Sequence, residues 1–432
     1  MLLSKNLIDM NKLSLFCIFL IYNFCISAQP TSLKLLPDPL PESAVPNQLD
    51  FPNDKKNFIP FFDKLNDLIF RGSSEINIVH IGGSHVQAGM LTDAIRFKLQ
   101  SMSPGLEGER GFFFPFSLAH TNNPRTYKTK AFPSLNNWTG QRCSVPQHKG
   151  PWGLSGIRAW TRDTSSRVQI FSTKEPFGFK QIRIFAAPGD SSMSVKFLNG
   201  PDSSWYNSSI DAFEARYEKN QDTINFRLSC ENAKQNYFSL EGVQVLRGTP
   251  GLRYHAVGAN GAATHSYLKC IRFKKQLKAI SPDLVLFGLG INDAYKKIGR
   301  FDSIAFERNY DSIVKAIKSV NSDCSFIYLT NNDSFYKGHY NPHGEVVRRS
   351  MYRLAKKHSA AVHDLYSLMG GQNSIAFWIR KGWAKKDGIH MTSVGYGIQA
   401  YWLAEAIESE YLRSQIQNSS DSEITQFNLT ND

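Results

Sequence analysis

The sequence predicts an α/β fold whose parallel sheet is interrupted by a β-rich insertion. Three observations point there. Near the start, residues 76–81 form a β-branched run that ends in Gly82-Gly83-Ser84 and passes into helical periodicity from Val86 to about Met102, the opening unit of an α/β sheet. Late in the chain, the strand-like runs 283–290, 325–330 and 361–365 read as apolar runs rather than alternating ones, as expected of strands covered by helices on both faces. Between them, residues 111–247 have another texture, with short runs such as 167–171, 181–185, 193–197 and 223–227 separated by Gly, Pro, Ser and Asn. That spacing predicts a sandwich or jelly roll. A chain of 432 residues is long enough for two domains of ordinary size, roughly 100–200 residues each.

In order, residues 1–28 read as an export signal: Lys5 and Lys12 lead into the apolar run 13–22, and the small residues Ser27 and Ala28 precede Gln29-Pro30. The apolar run falls short of the ~20 residues a spanning helix needs, and no later segment is apolar enough to cross a bilayer. The mature protein is therefore expected to be exported, periplasmic or secreted, with no stable membrane span. The Pro-rich stretch 29–57 reads as a linker. Residues 58–110 form the first part of the α/β domain, opening with a helix over 58–69 whose Phe61, Phe62, Leu65 and Leu68 share a face. The insertion occupies 111–247. The second part, 248–414, carries helices near 265–280, 303–319, 343–358 and 393–413, and the polar tail 415–432 is expected to be disordered.

Composition narrows the function. Fifty Lys and Arg against 37 Asp and Glu give a net charge of +13, but the basic residues are scattered and no zinc spacing, RNP-like run or basic heptad helix accompanies them. A nucleic-acid partner is therefore not expected. Outside the signal the cysteines are Cys143, Cys230, Cys270 and Cys324, without CxxC pairs or interleaved histidines, so a zinc site is not expected; the serine chemistry described next requires no metal or organic cofactor. A Cys143–Cys230 disulfide is compatible with export, since both lie in the insertion.

Four short segments carry chemistry. Gly82-Gly83-Ser84-His85 puts a serine at a strand-to-helix turn, Val257-Gly258-Ala259-Asn260-Gly261 is a glycine-rich turn before a helix, Gly290-Ile291-Asn292-Asp293 ends a strand, and Asp387-Gly388-Ile389-His390 precedes the last helix. A serine hydroxyl becomes a useful nucleophile when a histidine takes its proton, and that imidazole needs a carboxylate on its other nitrogen. Ser84, His390 and Asp387 meet those needs. The oxyanion of acyl transfer needs preorganised donors, and the candidates are the Ser84 N–H, the Gly261 N–H and the Asn292 side-chain amide.

These segments, in this order, resemble the SGNH superfamily of serine esterases, also called GDSL hydrolases. The resemblance implies a three-layer α/β/α parallel sheet, with Ser84 as nucleophile, Gly261 and Asn292 as oxyanion donors, and Asp387 with His390 completing the triad. The run 81–89 with Gly111-Phe112-Phe113-Phe114-Pro115 is similar to exported bacterial proteins related to peptidoglycan O-acetylesterases, which also carry a β-rich insertion. It implies removal of O-acetyl groups from a cell-envelope or other polysaccharide. A lipase or thioesterase of the same fold, or a glycan-binding protein without catalysis, are the alternatives. The chain departs from the family at Gly83, where an Asp is usual, and the loss of that carboxylate is expected to loosen the serine turn. Asp293 reads as structural, His85 as a loop or supporting residue, and Phe112–Phe114 as buried. Trp152, Trp160 and Trp205 are candidate sugar platforms, with core packing preferred for at least two of them.

Overall fold

The computed structural model describes residues 36–429 apart from 175, 188 and 190, and the side chains of 418–429 are not described. The export signal and the start of the linker lie outside the described residues. The α/β domain is a six-stranded sheet of β1 (Leu49–Asp50), β2 (Glu75–Gly82), β3 (Gly251–Gly258), β4 (Leu284–Gly288), β5 (Ser325–Leu329) and β6 (Ala361–His363), in the spatial order β1-β6-β5-β4-β2-β3. Every pairing is parallel except β1 with β6. The chain leaves β2 for β3 on one side and returns to β4 on the other, so the topology reverses between β2 and β4, where open α/β sheets bind ligands.

Helices cover both faces because both faces are apolar. One layer packs Ile76, Ile78, Leu252, Leu284, Leu286 and Ile327 against helices Ile59–Asn66, Met90–Gln100 and Ser393–Leu429. The other packs Val79, Ile81, Val285, Phe287 and Phe326 against helices Ser303–Lys318 and His343–His358. The expected three-layer α/β/α architecture is what is found.

The insertion folds as two antiparallel sheets. Strands Tyr127–Phe132, Arg167–Ser172, Thr223–Ser229 and Ser194–Phe197 form the smaller sheet, and Phe179–Ala186 and Phe238–Leu246 lie at the centre of the larger. Val168, Ile170, Ile224 and Phe226 share a common core with Ile182, Ile184, Val243 and Val245, as the two sheets of a β-sandwich do. The opposite face of the larger sheet docks on the α/β domain, with Phe112, Phe185, Trp152 and Cys143 sharing a core with Tyr267, Phe273 and Leu277.

Several expectations are corrected. The segment 29–57 is not simply a linker: Leu49 and Asp50 pair with His363 and Val362, and Leu36, Leu40 and Phe51 pack on the core. The helix expected over 265–280 is broken into Thr264–Tyr267 and Phe273–Leu277. Tyr267, Cys270, Phe273, Leu277 and Ile280 are all buried, and their spacing imitates a helical stripe although a turn at 268–272 separates the pieces. The helix expected to end near 413 continues to Leu429 in place of a disordered tail, since no Gly or Pro follows Gly397 to stop it. Strand β3 was hidden because Arg253 and His255 interrupt its apolar pattern. Both are buried, Arg253 between Glu75 and Glu109 and His255 against Asn77. No Cys143–Cys230 bridge forms: Cys230 is exposed and Cys143 is buried, and both are free thiols.

Candidate active site

Ser84, Gly261 and Asn292 follow the C-terminal ends of β2, β3 and β4, and the loop 385–391 brings His390 over them. Ser84 opens a single helical turn, Ser84–Gln87, behind Gly83, so its N–H has no acceptor within the helix. The Ser84 hydroxyl Oγ is 2.8 Å from His390 Nε2, and His390 Nδ1 is 2.9 Å from Asp387 Oδ2. The other carboxylate oxygen of Asp387 accepts the backbone N–H groups of Ile389 and His390, both at 2.9 Å. Burial pushes Asp387 up, but those bonds together with the His390 ring outweigh it and hold the carboxyl below its usual range. The side chains of His390 and Asp387 are 32% and 45% exposed, so the site opens on the surface.

The strand ends are tied together beneath it. The buried Tyr267 hydroxyl is shared between the carbonyls of Gly82 and Val257, at 2.9 and 3.1 Å, and Ala259 N–H donates to Gly82 O. Asn292 Nδ2 donates to Ala262 O at 2.9 Å, and an amide nitrogen has a second hydrogen to offer. Asp293 is buried, and its carboxylate takes the N–H and hydroxyl of Thr264. Burial raises it to about 6 despite those two donors. Asp293 therefore holds the first residue of the earlier helix Thr264–Tyr267.

The structure also shows what fills the place of the usual aspartate. A Cβ on Gly83 would stand 2.9 Å from Asn292 Nδ2 and 3.4 Å from Ala262 O. The serine turn is not loosened: Gln87 N–H closes it onto Gly83 O at 3.0 Å, and the 2.8 Å serine–histidine contact is retained.

His85 takes the supporting place that the sequence offered for it, whereas sequence reasoning missed Gln87 and Ser144. The ring of His85 stacks on that of His390, with centroids 5.2 Å apart and planes at 26°, and its Nδ1 pairs with the Tyr396 hydroxyl at 3.0 Å. Burial, reinforced by the neighbouring His390, pushes His85 down to about 3, so it is neutral. Gln87 is buried, and its Oε1 accepts the Asn260 N–H at 2.7 Å while its Nε2 donates to Thr121 Oγ1 and Asn122 O. Ser144 of the insertion donates to Asn260 O at 2.6 Å. Gln87 stands one helical turn after Ser84, a signal that could have found it, but Ser144 has no sequence signal. Of the tryptophans, Trp152 is buried, Trp160 is half-buried, and Trp205 is 37% exposed under the Arg216 guanidinium. Among the described residues no group of three or more His, Cys, Asp or Glu is arranged to hold a metal ion, and no helix is long and apolar enough to cross a membrane.

Such an arrangement can carry out acyl transfer: a hydroxyl against an imidazole nitrogen, a carboxylate behind the imidazole, and candidate donors that follow three neighbouring strand ends. Residues 229–398 match the GDSL-like lipase/acylhydrolase family. No curated protein is similar in sequence. Among solved structures, a peptidoglycan O-acetylesterase superposes with a TM-score of 0.70 at 20% identity, covering 84% of this chain and 99% of that one. Coverage so wide shows that the shared fold includes the insertion. A GDSL-like lipase from Bacteroides thetaiotaomicron, 21% identical, covers 36% of this chain and 76% of its own length with a TM-score of 0.29.

Proposed function

As the chain is an SGNH, or GDSL-type, hydrolase and thus a carboxylic ester hydrolase, we propose that it removes O-acetyl groups from a polysaccharide of the cell envelope, peptidoglycan being the first candidate, and that it works outside the cytoplasm. The observation that carries this reading is the unbroken hydrogen-bond chain from Ser84 Oγ through His390 to Asp387. In the proposed reaction His390 Nε2 takes the Ser84 proton as Oγ bonds to the ester carbonyl carbon. The carbonyl oxygen becomes an oxyanion facing the N–H groups of Ser84 and Gly261 and the Asn292 amide. Collapse of this intermediate breaks the bond to the sugar oxygen, which leaves with the proton from His390, and Ser84 keeps the acetyl group. Water, deprotonated by His390, then attacks the acetyl-serine; acetate leaves and the proton returns to Ser84.

Two further observations support the substrate class. The openness at His390 and Asp387 suits an acetyl group borne on a polymer. The fold shared with a peptidoglycan O-acetylesterase over both domains favours the same type of substrate. Acetate release from p-nitrophenyl acetate, O-acetylated peptidoglycan and acetylated xylan, wild type against Ser84→Ala, tests the reading. The expected result is serine-dependent release with peptidoglycan preferred. Full turnover by Ser84→Ala would refute the chemistry, and rates rising with acyl chain length would refute the acetyl preference. Export predicts a mature N-terminus near Gln29 in a non-cytoplasmic fraction.

A further inference from the structure

We propose that Ser144, a residue of the inserted sandwich, is a positioning residue for the oxyanion site: its hydroxyl locks the orientation of the peptide that carries the Gly261 N–H. The inference rests on the acyl-transfer reading above, in which that N–H faces the oxyanion.

The argument begins with the turn. Ala262 N–H donates to Ala259 O at 3.0 Å, closing a four-residue β-turn over Asn260 and Gly261. Gly261 has φ +75°, and Asn260 is not among the residues with positive φ. A positive φ at the third position alone defines a type II turn. Types I and II differ by a rotation of about 180° of the central peptide, here Asn260–Gly261, and the closing hydrogen bond is the same in both. Glycine tolerates either form. Neither the local sequence nor the closing bond therefore decides which way the Gly261 N–H points, and in the flipped form it points away from the reaction.

Only a contact to the central peptide itself can decide. Its carbonyl, Asn260 O, accepts the Ser144 hydroxyl at 2.6 Å. In a trans peptide C=O and N–H point in opposite directions, so gripping one aims the other. Ser144 is itself held: the preceding Cys143 is fully buried, its N–H donates to Gly156 O, and its carbonyl accepts Lys269 Nζ. A donor on the carbonyl also polarises the amide and strengthens its N–H. The bonds from Asn260 N–H to Gln87 and from Asn260 Nδ2 to Thr121 hold the preceding peptide and the side chain, and leave the central peptide free to turn. The insertion thus completes the oxyanion site of the domain that interrupts its own sequence to accommodate it.

The test is steady-state hydrolysis of p-nitrophenyl acetate by the purified protein and its Ser144→Ala and Ser144→Thr variants, with melting temperatures and Ser84→Ala alongside. Losing one oxyanion donor outright lowers kcat by ~10²–10³, and a peptide freed to flip spends part of its time correctly aimed. The expected result for Ser144→Ala is therefore a kcat about 10-fold lower, with KM and melting temperature unchanged, and recovery in Ser144→Thr, which restores the hydroxyl. An unchanged kcat in Ser144→Ala, or a raised KM at unchanged kcat, would overturn the inference while leaving Ser84-dependent turnover intact. A Ser144→Thr variant as slow as Ser144→Ala would overturn it too. Turnover that survives Ser84→Ala would overturn the underlying reading and the inference with it.

Discussion

Replacing Gly83 by alanine adds one methyl group at the position where the family usually carries an aspartate, and the structure lets its effect be worked out. The new Cβ would stand 2.9 Å from Asn292 Nδ2, whereas ordinary contact begins at 3.4 Å, so the amide must retreat by about 0.5 Å. Asn292 cannot simply swing, because its Nδ2 is also bonded to Ala262 O at 2.9 Å, and Ala262 O itself lies at the 3.4 Å limit of the added carbon. Oxyanion donors act at about 2.7–3.1 Å, and a half-ångström retreat carries one to the edge of that range or beyond. Complete loss of a donor costs ~10²–10³ in kcat, so a displaced one is expected to cost ~10- to 100-fold, with KM for p-nitrophenyl acetate nearly unchanged. Gly83→Asp is expected to be at least as damaging. Combining Gly83→Ala with Asn292→Ala should cost little more than Asn292→Ala alone, because both remove one donor. A Gly83→Ala enzyme with kcat within ~3-fold of wild type would refute the reasoning, since Asn292 would then not serve the oxyanion from its observed position.

Other outcomes follow from the same geometry. Asp387→Asn is expected to lower kcat by up to ~10⁴ while leaving substrate binding nearly intact, read from steady-state kinetics. The folded state holds the Asp387 carboxyl below its unfolded value, so its stabilisation is present above the unfolded pKa and is lost as pH falls through the folded one. The melting-temperature gap between wild type and Asp387→Asn should therefore close as the pH drops below ~4, and a constant gap would contradict that assignment. Phe112 is fully buried where the insertion meets the α/β core, 5.3 Å from the Phe185 ring. Phe112→Ala should cost ~3–5 kcal/mol in chemical denaturation, and a loss near zero would mean that the two domains do not share a core.

Much of the α/β domain was legible because its signals are local. A strand buried on both faces is apolar throughout, and helices announce themselves by period, so β2, β4 and β5 and the helices Ser303–Lys318 and His343–His358 could be read directly. Strand β3 could not, since its buried Arg253 and His255 become tolerable only once Glu75, Glu109 and Asn77 are folded beside them. The false helix over 265–280 has the same origin: burial at helical spacing arises whenever successive turns return to one core, and only tertiary contact distinguishes that from a continuous helix.

The candidate site divides along the same line. Which chemistry is available can be read from the chain alone, because Ser84, Asn292 and the Asp387–His390 pair sit in short motifs whose residue types and order suffice to name it. How those groups are held emerges on folding: Asn292 against a glycine that leaves room for it, His390 against the neutral ring of His85, and the Asn260–Gly261 peptide against a hydroxyl that is 116 residues away in the chain. The physical reason is that chemical identity belongs to single residues, whereas the direction of a donor depends on what packs behind it, and here that support comes from distant segments brought together by burial of two apolar faces.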